Sequence, residues 1–170
     1  MLSEKLAGLL NEQVNFEWYS AYIYLDIYTY YEDKNLNGFG NWFNIQAQEE
    51  RDHAMLFMKY IMNNGEKVKL TTIEGPTGEY KDFREPVVDA FTHEKEVTRK
   101  INAIYAAAYE EKDFRTMQFL DWFVKEQGEE EKNTEDIIKR YDLFGQDAKS
   151  LYMLDAELAA RVYAAPSLVL

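Results

Sequence analysis

No cysteine occurs among the 170 residues, which excludes disulfide staples, thiolate zinc sites, cysteine nucleophiles and cysteine-ligated iron–sulfur clusters. Any metal must therefore bind through oxygen or imidazole. Basic residues are scarce too: nineteen Lys and Arg against thirty-one Asp and Glu leave a net charge of −12. That balance argues against nucleic acid as a partner, because phosphate binding rests on Lys and Arg displacing counterions. No apolar run approaches the ~18 residues of a membrane span. The amino terminus, MLSEKLAGLLNEQ, carries charge where a signal peptide needs an apolar segment. A soluble, cytoplasmic protein with no membrane partner is expected. Only three prolines and eight glycines interrupt the chain, and they fall outside long stretches of helix-forming residues, so the fold class is all-α.

What is present is a foldable core. At 46% hydrophobic and 15% aromatic, the composition is too apolar for a disordered chain, and the length suits a single domain over residues 1–170. Apolar spacing places helices at about 4–34, 38–64, 84–112 and 115–144, with a shorter one near 147–160. Pro86 suits a helix's first turn, and Gly65 and Gly145 suit helix stops. The breaks after the first and third helices are short enough to force antiparallel hairpins. Residues 66–83 differ. Extended at roughly 3.3 Å each they reach up to ~59 Å, whereas a helix of about 28 residues is only ~42 Å long. A crossover along the full bundle, leaving the middle two helices parallel, is expected, with Leu70, Ile73 and Tyr80 to pack it down.

Steps of three and four along each helix select the side facing a bundle core. The second helix then reads Phe39, Phe43, Gln46, Glu50, His53, Phe57, Tyr60, with aromatics at both ends and a carboxylate and an imidazole between. The first reads Leu6, Leu10, Gln13, Glu17, Ser20, Tyr24, Ile27, Tyr31. The third carries Glu94 in an otherwise apolar line from Val87 to Ala108. The fourth carries Gln127 and Glu130 between Phe123 and Ile137. A single glutamate in one stripe is ordinarily a register slip or a side chain that reaches solvent; four at one height are a different matter. Burying an ionised carboxylate costs several kcal/mol, so Glu17, Glu50, Glu94 and Glu130 together cost on the order of 12 kcal/mol, against a total stability of ~5 to 15 kcal/mol. No Lys or Arg lies in these stripes. Either the carboxylates hold protons or cations join them, and two divalent ions balance four carboxylates. Oxygen donors with one imidazole suit iron or manganese better than a structural zinc site.

Tyr24 stands two turns after Glu17 on the same side, where its phenol can hydrogen-bond to the cluster or supply an electron to it, or simply pack. Glu49, Glu126 and Glu129 form a second acidic group rotated off the stripes: a solvated face, or a loosely held third cation. The segment EQGEEEK sets like charges three and four apart, each pair unfavourable by ~0.2 to 0.5 kcal/mol. His93 falls one step off its stripe and is expected at the surface.

The segments NEQVNFEWYSAY, AQEERDH, the glutamate at 94 and FLDWFVKEQGEEEK resemble the non-haem bacterial ferritins of the ferritin-like superfamily, over nearly the whole chain. The resemblance implies a four-helix bundle with a long crossover and a short fifth helix. It also implies iron storage with ferroxidase activity, a di-iron centre, and O₂ or peroxide as oxidant. Glu17, Glu50 and His53 would hold one iron and Glu50, Glu94 and Glu130 the other, with Gln127 close by; Glu49, Glu126, Glu129 and Glu130 look like the third iron site of bacterial members. A homo-oligomer of twenty-four copies is implied by kinship alone. The departures are informative. Symmetric di-iron enzymes carry a second Glu-x-x-His, where this chain has Gln127 and Glu130, a poorer set that should release oxidised iron more readily. The haem-binding relatives carry a methionine where this chain has Asp52, so no haem is expected. Asp121 resembles an acidic pore residue, although its companion position here is Gln118. Tyr28, Tyr30 and Trp42 are expected at subunit contacts, and the SLVL end either covers an interface or is disordered. The alternative readings are a di-iron or di-manganese oxidase acting on an organic substrate, and a scaffold with protonated buried glutamates.

Overall fold

The structure, a computed structural model, describes residues 2–170. Five helices follow one another: α1 (Glu4–Asp33), α2 (Asn37–Asn63), α3 (Glu85–Glu111), α4 (Phe114–Phe144) and α5 (Ala148–Leu158), the last ending two residues before the expected position. Their ends have local causes. The Ser3 hydroxyl accepts from the Leu6 amide at 3.1 Å, Asp113 accepts from Thr116 at 3.1 Å, and Asp147 accepts from Lys149 and Ser150, each satisfying an orphan donor of a first turn. Pro86 occupies the first turn of α3, where a missing N–H costs nothing. At the other ends of α1 and α2, Asn35 (φ 57°) and Gly65 (φ 80°) turn left-handed. The amides of Leu36 and Glu66 then fold back onto the carbonyls of Tyr31 and Ile61.

The start of α2 has no side-chain cap of its own. Asp155 of α5 supplies one, accepting from the amides of Gly38 at 2.8 Å and Phe39 at 2.9 Å. A Cβ on Gly38 would lie 1.7 Å from the Asp155 carbonyl oxygen, so glycine is what lets α5 reach this end.

Hydrogen bonds fix the helix directions. Tyr24 meets Glu94, Lys5 meets Glu110, Gln46 meets Glu130 and Tyr60 meets Thr116, so α1 runs antiparallel to α3 and α2 to α4. The crossover climbs α1 from its beginning to its end. Asn11 donates to the Lys67 carbonyl and accepts from the Lys69 amide; one turn later Asn15 donates to the Lys69 carbonyl and accepts from the Thr71 amide. These two amides imitate a strand's hydrogen-bond ladder on the surface of a helix. Farther on, the Tyr80 ring packs 5.0 Å from Tyr30, and the Tyr31 hydroxyl donates to the Phe83 carbonyl at 2.6 Å. The expected packing by Leu70 and Ile73 is corrected: Leu70 is 64% exposed and Ile73 38%. Polar bonds from Asn11 and Asn15 to the backbone of residues 67–71 hold that stretch instead, through main-chain groups that require no apolar side chain.

Apolar burial divides into two clusters. One, around Leu6, Leu10, Phe57, Ile101 and Phe123, fills the end near the α1 start. The other, around Tyr24, Tyr31, Phe43, Val87 and Ile137, fills the opposite end. A polar layer separates them.

Candidate metal centre

That layer contains the carboxylates of the four stripes. Glu17, Glu50, His53, Glu94, Gln127 and Glu130 are each no more than 4% exposed, since the same helical spacing that buries the apolar neighbours buries them. One ligand atom from each of Glu17, Glu50 and His53 lies within 4.8 Å of the others. His53 directs Nδ1 toward Glu50 Oε2 at 3.4 Å, too far and poorly aligned for a good hydrogen bond. Aromatic edges of Trp122 and Phe123 hold the imidazole in place.

Among the described residues, four buried side-chain oxygens lack a hydrogen-bond partner: Glu17 Oε2, both oxygens of Glu50, and Asp26 Oδ2. Three of the four belong to the neighbouring Glu17 and Glu50 carboxylates of this layer. Buried oxygens almost always find a donor, and an orphan costs roughly 1–3 kcal/mol, more when charged. A hard or borderline cation is the partner that oxygen and imidazole donors in this arrangement fit.

Four other oxygens of the layer are held by donors. Gln13 Nε2 donates to Glu17 Oε1 at 2.8 Å, Gln46 Nε2 to Glu130 Oε2 at 2.6 Å and Gln127 Nε2 to Glu94 Oε2 at 3.0 Å. The Tyr24 hydroxyl donates to Glu94 Oε1. These bonds leave particular lone pairs free and aim them inward, the role outer partners play around metal ligands. Gln13 and Gln46 stand in the stripes, yet sequence reading assigned them no role. The available signal was the repeated spacing, Gln13 with Glu17 and Gln46 with Glu50, though Gln46 in fact serves a different helix.

Burial pushes every one of these carboxyls up. Glu17 and Glu50 rise well above the ordinary range, through desolvation first and then repulsion from Glu50 and from Glu94, respectively. Glu94 rises by burial, opposed by its bonds to Tyr24 and Gln127. Glu130 reaches about 8 by burial and by repulsion from Glu94. Burial likewise raises the Tyr24 phenol, with the Glu94 charge adding to it. Without cations the layer holds protons; cations would displace them.

The second acidic group is less uniform. Glu49 is largely buried and paired with Arg161 at 2.6 Å, Glu126 is half-buried nearby, and Glu129 is exposed and paired with Lys125 at 3.4 Å. Arg161 comes from the segment after α5, and nothing in the helix stripes foretold it. Three further expectations change. Trp42 is buried, its ring beneath the Arg161 guanidinium at 4.3 Å, rather than free for a subunit contact. Of the two readings of the SLVL end, disorder fails, for Leu168 and Leu170 pack against the first apolar cluster and Ser167 accepts from Trp122. His93 is half-buried, stacked on Phe16 with Nε2 2.7 Å from Ser20 Oγ, and burial lowers its pKa to about 4. Asp121 is exposed and accepts from Tyr105 at 2.9 Å.

Residues 7–144 match the family model of the ferritin-like domain. The chain is 37% identical over 163 residues to a bacterial non-heme ferritin of Staphylococcus haemolyticus, covering 96% of this chain and 98% of that one. It is 35% identical over 158 residues to a probable bacterial non-heme ferritin-like protein of Haemophilus influenzae, covering 93% and 96%. Among solved structures, a closed form of the Archaeoglobus fulgidus ferritin made by site-directed mutagenesis superposes with a TM-score of 0.94 at 40% identity, covering 96% of this chain and all of that one. The open-pore ferritin of the same organism gives 0.93 at 40% identity, covering 95% and 98%. Among the described residues, no helix is long and apolar enough to cross a membrane.

Proposed function

We propose that this chain, which belongs to the ferritin family and stores iron by oxidising Fe(II), carries out the oxidation in the polar layer between its two apolar clusters. One observation carries the assignment: the orphaned oxygens of Glu17 and Glu50, beside the His53 imidazole, lie within reach of a single ion. In this reading Glu17, Glu50 and His53 bind one Fe(II). Glu50 also faces Glu94 and Glu130, which take the second with Gln127 alongside. Tyr24 steadies Glu94 through its hydroxyl, and Gln13 and Gln46 steady Glu17 and Glu130.

The residues then act by placement. Each Fe(II) gives one electron, so a bound pair supplies together the two that O₂ takes up on becoming hydrogen peroxide, or that a peroxide takes up on becoming water. Water bound to the ion is made more acidic, so hydrolysis follows oxidation. With an amide at 127 in place of a second imidazole, the ferric product is held by fewer strong donors and leaves for a ferric oxyhydroxide store. Storage requires a closed container. The chain is accordingly a homo-oligomer, for which we propose twenty-four copies, working in the cytoplasm. Glu49, Glu126 and Glu129 with Glu130 would form an outer, third iron position.

Anaerobic Fe(II) titration followed by air, with the mass of the assembly measured alongside, tests this reading. Glu50→Ala and His53→Ala are expected to slow the fast oxidation phase at least tenfold while the shell persists, in line with the ~10- to 100-fold that even an outer partner contributes. Oxidation at the unaltered rate in both variants would remove these residues from the mechanism.

A further inference from the structure

After α5 the chain crosses the α2 surface and reaches α4, fastened to both. Asn41 donates to the Arg161 carbonyl at 3.0 Å, the Tyr163 hydroxyl donates to Asp52, and Trp122 Nε1 donates to Ser167 Oγ at 3.0 Å. Between these points the Arg161 guanidinium lies over the Trp42 ring, 4.3 Å from its centroid, and spends its donors on three acceptors. Nη2 reaches Glu49 Oε2 at 2.6 Å; Nη1 reaches Gln46 Oε1 at 2.8 Å and the Trp42 carbonyl at 3.1 Å. A guanidinium has donors only, so Gln46 must turn its oxygen outward to Arg161 and its nitrogen inward, where it meets Glu130. One cation thus touches an outer carboxylate directly and an inner one through a single amide.

We propose that Arg161 is the chain's own occupant of the outer acidic group, so that a metal ion settles on Glu49 and Glu126 only when the guanidinium leaves, and docked tail and outer metal exclude each other. The inference rests on the inner centre assigned above. Its physical basis is charge in a confined place. The Glu49 and Arg161 side chains are only 18% and 20% exposed, so a divalent ion arriving on the same carboxylate would meet a fixed positive charge with little water between them. Glu126 has no basic partner within ion-pair distance among the described residues, and Lys125 is spent on Glu129. Arg161 is therefore the cation held on Glu49, the most enclosed carboxylate of this group. Attachment through Ser167, Leu168 and Leu170 beyond it means that the strap can release Arg161 and remain tethered.

The absence of cysteine permits one spin label on an Ala164→Cys variant, at an exposed position three residues beyond Arg161. The assembled protein is titrated with Zn(II), which is diamagnetic, while bound metal and label mobility are followed together. With Arg161 intact, two equivalents per chain should bind while the label stays immobile, and a third should bind at least tenfold more weakly and set the label free. In Arg161→Gln the third should bind at least tenfold more tightly, with the label mobile from the outset. Arg161→Lys, which keeps the charge and guards against a merely structural effect, should stay near the parent. A third equivalent bound equally with Arg161 and with Gln, or a label still immobile at three equivalents, overturns the proposal and leaves the inner centre standing. Fewer than two equivalents in every variant overturns both.

Discussion

Gln46 donates its side-chain amide to Glu130 at 2.6 Å, joining α2 to α4 across 84 positions of sequence. Both side chains are buried, so the bond cannot be replaced by solvent. Gln46→Leu, similar in volume, leaves a Glu130 oxygen without a donor and should lower the stability of the metal-free protein by about 1–3 kcal/mol. Urea unfolding with chelator, repeated after metal saturation, checks this: the loss should shrink when a cation takes up the stranded oxygen.

The raised carboxyls make a prediction about pH. Glu130, at about 8 in the folded chain against roughly 4.3 in an unfolded one, keeps its proton over a window in which the unfolded chain has released it. The folded state then binds more protons, and stability falls as pH rises through that window. Glu17 and Glu50 act in the same direction. Metal-free protein should therefore melt at a higher temperature at pH 5 than at pH 8, with a difference of a few kcal/mol, given about 1.4 kcal/mol per unit. Metal-loaded protein should show the reverse trend, because ligands must shed protons to bind. Calorimetry of both forms across that range decides it.

Asn15 anchors the crossover with two backbone bonds, to the Lys69 carbonyl and from the Thr71 amide. Asn15→Ala removes both and should cost about 1–2 kcal/mol, expressed mainly as faster proteolysis within residues 66–83. Asn15→Asp keeps the acceptor and loses the donor, so its digestion rate should fall between the two.

Asp155 caps α2 from α5. Asp155→Ala should cost roughly 0.5–2 kcal/mol, the range for loss of a helix cap, and should speed hydrogen exchange at the Gly38 and Phe39 amides. Gly38→Ala should do more, because its Cβ would collide with the Asp155 backbone and force α5 away. Equal exchange rates in the parent and both variants would show that α5 is not what holds this end.

Much of the architecture was legible in the order of residues. Spacing by three and four decides which side of a helix is apolar, and that periodicity puts Glu17, Glu50, Glu94 and Glu130 on the inward sides beside Leu10, Phe57, Val97 and Phe123. The helix stop at Gly65 and the proline in the first turn of α3 are local chemistry, readable from a few neighbours. The absence of cysteine limited the donors before any coordinate was known.

Tertiary structure alone decided what those inward groups touch. Gln46 stands four residues before Glu50 yet bonds to Glu130, because a side chain's partner depends on the rotation and height of the neighbouring helix, neither of which periodicity encodes. Asn11 and Asn15 look like ordinary surface amides until the crossover lies across them. Arg161 belongs to no stripe, and only the path of the tail over α2 brings it to Glu49. Periodicity is a property of one helix at a time, whereas a hydrogen bond between distant segments depends on how the whole chain closes around its core.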